Sequence, residues 1–247
     1  MKKADSSWKL SDKDIKFVNR YEKKFFSGEL ERPLSVYEQK LKQIGCEGCD
    51  HVLDVGCGIG QWAIAGAKLN RKVTAFDMRQ CRLDVGEKLK SVHKANIEFQ
   101  LSSMEEFKSP EKFDFIFCYG AFMFLEMDKA LEKFSSLLTE NGKIYLNYNN
   151  LGWYFRMGFS MGLFKLKFNL FIAMFNFMLR SLTGASKNRI VDLSYLKKIA
   201  EKNNLRVTHC EHEGHINFTE NPINPFYKET YLGLNCVEEA ILELKKD

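Results

Sequence analysis

Cysteine and long apolar runs are both scarce in this sequence. Seven cysteines in 247 residues are too few and too irregularly spaced for a disulfide framework. The opening MKKADSSWKLSDKD lacks the apolar core that a secretory leader needs. These absences predict a reducing, cytoplasmic setting. No internal repeat or low-complexity tract is found. Nor is there a block of one charge: the net +5 comes from acids and bases mixed along the chain, which gives no strong nucleic-acid signal. What is present is enough apolar content, 45% against 28% charged, to bury a full core in one domain with insertions. Phenylalanine is overused, with 21 copies, many of them between residues 113 and 177.

Residues 11 to 44 carry apolar positions at helical spacing, interrupted by Gly28 and Pro33, which predicts two short helices. From His51 to Tyr148 strand and helix patterns alternate: HVLDV, QWAIAGAKL, KVTAFDM, CRLDVGEKLKSVH, IEFQLS, KFDFIFCYG, KALEKFSSLL and KIYLNY. Such alternation predicts a parallel sheet with helices on its faces. NGK at 141–143 reads as a turn before the fifth strand. An insertion over 151–184 breaks the rhythm. A helix (DLSYLKKIAEKN), a strand (LRVTHCE) and a loop with Pro222 and Pro225 follow, and YLGLNCVEEAILEL reads as strand at its start and helix at its end. The expected organisation is a single domain, 1–247: a helical preface (1–50), a ligand-binding core (51–150), a hydrophobic helical insertion or lid (151–190) and a closing helix with strands (191–247).

The stretch HVLDVGCGIGQWAIAGA, from His51 to Ala67, joins a strand to a helix through three glycines. Ligands of an open α/β sheet sit beyond the carboxyl ends of its strands, so this loop faces the binding crevice. Gly56, Gly58 and Gly60 let the backbone turn sharply and approach a ligand. The glycines alone also suit a nicotinamide dinucleotide. Asp54 argues against one, because a pyrophosphate wants amide donors without a neighbouring negative charge. Asp77 ends the second strand, where an acid accepts hydrogen bonds from ribose hydroxyls. A nucleoside with a cationic appendage satisfies both acids.

These segments resemble the class I S-adenosylmethionine-dependent methyltransferases over roughly residues 50 to 150. VLDVGCGIG is similar to the family's first motif, VTAFDM to its second, LSSMEEF to its third, and FDFIFCYGAFMFL to the fourth strand and following loop. SSLLTENGKIYL resembles the helix, turn and fifth strand. The resemblance implies a Rossmann-like, doubly wound α/β sheet of seven strands, mostly parallel with the last antiparallel. It also implies S-adenosylmethionine as cofactor, held by Asp54, Gly56, Cys57, Gly58 and Gly60, by Asp77 and Met78, by Ser103 and Met104, and by Cys118 and Tyr119. In the third motif the family often has an acid that contacts adenine, where this chain has Ser103 and Met104. CYGA at 118–121 departs from the Asn/Asp-Pro-Pro-Tyr motif of enzymes that methylate base amines or glutamine amides.

Methyl transfer from a sulfonium is an in-line displacement, and holding the nucleophile in place supplies roughly 7–11 kcal/mol of the barrier. A hydroxyl acceptor also needs a base. THCEHEGHINF supplies His209, His212 and His215, of which His215 is the predicted base, with Tyr119 and Glu126 as competitors. No metal is predicted, since Cys46 and Cys49 precede the first strand while the histidines leave the opposite edge of the sheet. In the insertion, Phe164, Phe168, Phe171, Phe175, Met178 and Leu182 form one helical stripe, with Lys165, Asn169, Asn176 and Arg180 opposite. Residues 163–182 are read as a cap, a homodimer contact, a lid over a lipophilic acceptor, or a peripheral membrane surface, too short in apolar length to span a bilayer. The reading is O-methylation of a small lipophilic or glycan-linked molecule. Its alternatives are RNA methylation and a methyltransferase-like binding module without catalysis.

Overall fold

A strand covered on both faces needs apolar side chains at nearly every position rather than at alternate ones. Val52, Leu53 and Val55 follow that rule, and all five residues of 51–55, His51 and Asp54 included, are buried. In the computed structural model they form β1 (His51–Val55), flanked in parallel by β2 (Lys72–Asp77) and β4 (Phe113–Cys118). β3 (Ile97–Leu101) lies parallel on β2. The structure describes residues 32–163, 166–182, 190–220 and 225–246, together with Trp8, Leu10, Ser11, Lys13, Lys23, Phe25 and Phe26. With β5 (Leu138–Asn149), β6 (Leu205–His212) and β9 (Val237–Leu244), a seven-stranded sheet runs in the order β3-β2-β1-β4-β5-β9-β6. β9 is antiparallel to both of its neighbours, so the doubly wound sheet expected from the sequence is the one observed. A small separate ladder pairs β7 (Thr230–Tyr231) with β8 (Leu234–Asn235).

Two compact units make up the chain, 1–117 with 217–223 and 118–216 with 224–247. In the first, α1 (Leu34–Gln43) starts directly after Pro33, at a position where proline's missing N–H costs little. It is the second of the two helices predicted before residue 44; most of the first falls outside the described residues. Tyr37 of α1 meets Trp62 of α2 (Gln61–Leu69) edge to face, centroids 4.7 Å apart, which fixes the preface to the core. α3 (Gln80–His93) follows β2.

In the second unit, α4 (Met127–Leu137) buries Met127, Ala130, Leu131, Phe134 and Leu137 at helical spacing. It passes at once into β5, so the NGK at 141–143 lies inside a strand and makes no turn. The end of the chain also differs from expectation. VEEAILEL is strand throughout, with β5 paired along one side and β6 along the other. Between two ladders the backbone amides find partners only when extended, and that pairing overrides the helical spacing of the side chains.

The insertion forms α5 (Leu151–Arg156), a π-helical run over Met157–Leu163, and α6 (Phe168–Leu182), before α7 (Leu193–Lys202). Asn150 caps α5 by accepting from the Leu151 N–H at 2.6 Å. A Cβ on Gly152 would stand 2.2 Å from the Leu234 carbonyl oxygen, so only glycine lets α5 press against the β7–β8 ladder. The predicted stripe on α6 is divided: Met178 is buried, Phe171 half-buried, and Phe168 and Phe175 are exposed. Phe164, Lys165 and the Leu182 side chain lie outside the described residues. Spacing gave the apolar arc, which is wider than the face the fold covers.

Candidate active site

Parallel pairing of β1 with β2 sets Asp54 and Asp77 at the carboxyl ends of adjacent strands, the ligand side of an open α/β sheet. The loop after β1 folds back onto β2: the Cys57 N–H donates to the Phe76 carbonyl at 2.9 Å, and the Gly58 N–H to Asp77 Oδ2 at 3.1 Å. Gly58 has φ +60, and a side chain there would meet nothing within 4 Å, so the backbone is open to a ligand. Gly60 has a second duty. At φ +83 it also makes room for the Phe99 ring, 2.8 Å from where its Cβ would be.

The two acids differ sharply. Asp77 accepts from the Gly58 and Arg79 N–H groups, the latter at 2.9 Å, and from Arg82 Nη1 at 3.2 Å. A carboxylate offers about four acceptor sites, so some capacity remains. Asp54 is 4% exposed, and its Oδ2 has no hydrogen-bond partner among the described residues. Burial first, and the charge of Asp77 second, push its carboxyl up to about 8, opposed by the Ala63 backbone N–H. An orphaned buried acceptor is costly, and no described residue gives this oxygen a donor or cation. Beside the acids stand two exposed apolar side chains, Met78 at 72% and Leu101, the register partner of Asp77, at 57%. Buried acids, open glycine backbone and an apolar ledge together fit a nucleoside carrying a positive charge.

The remaining expected residues take other places. Gly56 turns at φ +67. Cys57 is buried, and burial ahead of the nearby acids pushes its thiol well up, so it stays protonated. Ser103 Oγ accepts from the Glu106 N–H at 3.2 Å and caps the turn after β3, while Met104 is buried.

In the second unit, Cys118 ends β4 fully buried, and Tyr119 follows it. The Tyr119 hydroxyl donates to Glu213 Oε1 at 3.0 Å, and Glu213 Oε2 accepts from the Phe226 and Tyr227 N–H groups. Burial and then the Glu213 charge raise the Tyr119 phenol well above its ordinary value, which makes it a neutral donor rather than a base. Glu126 ion-pairs with Lys129 at 3.0 Å. The three histidines do not form one set. His209 is exposed within β6, whereas the His212 and His215 rings lie 5.7 Å apart. His215 Nε2 is 3.0 Å from Glu229 Oε1, a carboxylate that orients the imidazole.

The Methyltransferase domain family matches residues 52–142. A protein of Geobacillus sp. (strain WCH70) named as a methyltransferase is 32% identical over 121 residues, 47% of this chain and 49% of its own length. A ubiquinone biosynthesis O-methyltransferase of Coxiella burnetii (strain Dugway 5J108-111) is 31% identical over 111 residues, covering 44% of this chain and 47% of that protein. The crystal structure of an S-adenosylmethionine-dependent methyltransferase from Clostridium acetobutylicum ATCC 824 superposes with a TM-score of 0.60, covering 92% of this chain and 100% of that one at 11% identity. This last likeness is one of fold. Residues 52–142 are therefore similar to a methyltransferase domain, and the chain has the fold of S-adenosylmethionine-dependent methyltransferases.

The chain spans about half the length of the curated relatives it matches. The matched segment contains Asp54, Asp77 and Tyr119 and ends before Glu213, Glu239 and His215. Three residues went unnoticed in the sequence. Glu213 holds Tyr119 and two backbone amides, Glu239 accepts from Tyr145 at 2.7 Å and from the Ile216 N–H at 2.7 Å, and Asn147 accepts from the Gly120 N–H at 2.6 Å. Only Glu213 left a local signal. It stands immediately after β6 and before Gly214, which turns at φ +96 against Pro225.

Proposed function

We propose that this protein transfers a methyl group from S-adenosylmethionine to the hydroxyl of a small acceptor, lipophilic or glycan-linked. The observation that carries the proposal is the buried Asp54 carboxyl, whose Oδ2 has no partner among the described residues, beside an Asp77 that orders an open glycine loop. Asp77, with Met78 alongside, takes the ribose and adenine end. Asp54 and the backbone of Gly56, Cys57, Gly58 and Gly60 line the charged end. S-adenosylmethionine supplies a methyl already activated on sulfur, released to the acceptor oxygen as the sulfur becomes a neutral thioether. His215, oriented by Glu229, accepts the acceptor's hydroxyl proton. Within the second unit Tyr119, fixed by Glu213, is a neutral hydrogen-bond donor. The name of the Coxiella relative supports oxygen as the methylated atom and an apolar acceptor.

The test is incubation with labelled S-adenosylmethionine and either a panel of lipophilic phenols and alcohols or total RNA. Label in an ether of the small acceptors is expected. His215→Ala is expected to lower kcat about a hundredfold or more with cofactor affinity unchanged. Label in RNA that falls with salt would contradict the proposal, and so would cofactor binding without turnover on any acceptor.

A further inference from the structure

We propose that the outward face of α6 is a docking surface for an anionic lipid bilayer. Phe168, Ile172, Phe175 and Leu179 recur at the spacing of one helical stripe, and each is between 46% and 54% exposed. Leu166, at the turn before the helix, is 75% exposed. The inner side of the helix is already occupied: Phe177 stacks on Tyr154 at 4.8 Å, Met178 is buried, and Phe171 presses on Gly162, where a Cβ would come 2.8 Å from the Phe171 backbone nitrogen. About half of each stripe side chain is left uncovered, that of Phe175 included although its ring stacks on Phe171.

Charge decides what covers it. From residue 141 to 191 the sequence contains no Asp or Glu and seven basic residues: Lys143, Arg156, Lys165, Lys167, Arg180, Lys187 and Arg189. The rest of the chain carries 30 basic and 32 acidic residues, so the whole positive excess of the protein sits in this stretch. Lys167 and Arg180, one near each end of the stripe, are exposed. An apolar stripe or a basic patch alone holds a bilayer weakly, whereas the two signals combined give stable attachment. Among the described residues no helix is long and apolar enough to cross a membrane. RNA would use the same charge but leaves four aligned bulky side chains in water. A second copy of the chain would cover the stripe but would bring like charge against like. Docking suits the lipophilic acceptor proposed above and does not depend on it.

Flotation of the full chain with phosphatidylcholine vesicles, with and without phosphatidylglycerol, tests the proposal. Flotation is expected only with the anionic vesicles, weaker in high salt, and reduced at least about tenfold in Ile172→Glu/Phe175→Glu and in Lys167→Glu/Arg180→Glu. All four sites are exposed, and circular dichroism of both variants is expected to match the parent. Three results would overturn the proposal: no flotation, flotation indifferent to both variants, or a dimer in sedimentation that Ile172→Glu/Phe175→Glu dissociates while vesicles bind neither form. RNA retention unchanged by the apolar variant and without flotation would assign the charge to nucleic acid instead.

Discussion

Asp77→Ala is expected to weaken S-adenosylmethionine binding by at least about a hundredfold in isothermal titration calorimetry. Asp77 is 4% exposed and takes hydrogen bonds from Gly58, Arg79 and Arg82. A hydrogen bond to a charged group is worth about 1.5–3 kcal/mol, two ribose hydroxyls lose theirs, and each 1.4 kcal/mol is tenfold in affinity. The substitution takes away the ribose acceptor and also frees the Gly58 loop, so preorganisation is lost with the contact. Asp84→Ala serves as the control. That acid accepts from Gln80 on the exposed side of α3, and its removal should leave affinity within error. Unchanged affinity in Asp77→Ala would mean that the loop and its acid serve the fold alone.

Asp54→Asn is expected to flatten the pH dependence of stability. In the folded chain the Asp54 carboxyl keeps its proton up to about 8, and in the unfolded chain it loses it near 3.8. The folded state therefore holds the extra proton between those values, and stability falls as pH rises through that window. The contribution is fully present below about pH 3.8 and lost as pH passes about 8. Its size is on the order of 5 kcal/mol at most, large against the marginal stability of a domain. Urea unfolding at a series of pH values should show the slope in the parent and a shallower one in Asp54→Asn, which cannot ionise. Binding of a cation beside Asp54 favours its charged form, so ligand binding below pH 8 should release a proton, visible as a dependence of the binding enthalpy on the buffer. Equal slopes in parent and variant would show that Asp54 is already ionised.

The parts of the site that were legible in the sequence are those made by near neighbours along the chain. Asp54, the glycine loop and Asp77 belong to one strand-helix-strand unit, and the Gly58–Asp77 hydrogen bond spans 19 residues. The Tyr119–Glu213 and Tyr145–Glu239 bonds each span 94. Nothing in the local pattern at 213 or 239 reports a tyrosine so far away, and Glu239 sits in VEEAILEL, whose side-chain spacing suggests a helix. That segment became a strand because two neighbours pair with it, a fact held by β5 and β6 rather than by its own residues. The α6 stripe teaches a related point. Periodicity located the apolar side of the helix, but which part of it the fold would cover depended on Tyr154 of α5 and Gly162 of the π-helical run.

The most direct measurement is a crystal structure of the protein soaked with S-adenosylhomocysteine. The account predicts the ribose hydroxyls on Asp77, the adenine against Met78 and the amino-acid end beside Asp54 and Gly58. Density for the ligand away from both carboxylates, or none at saturating concentration, would contradict it.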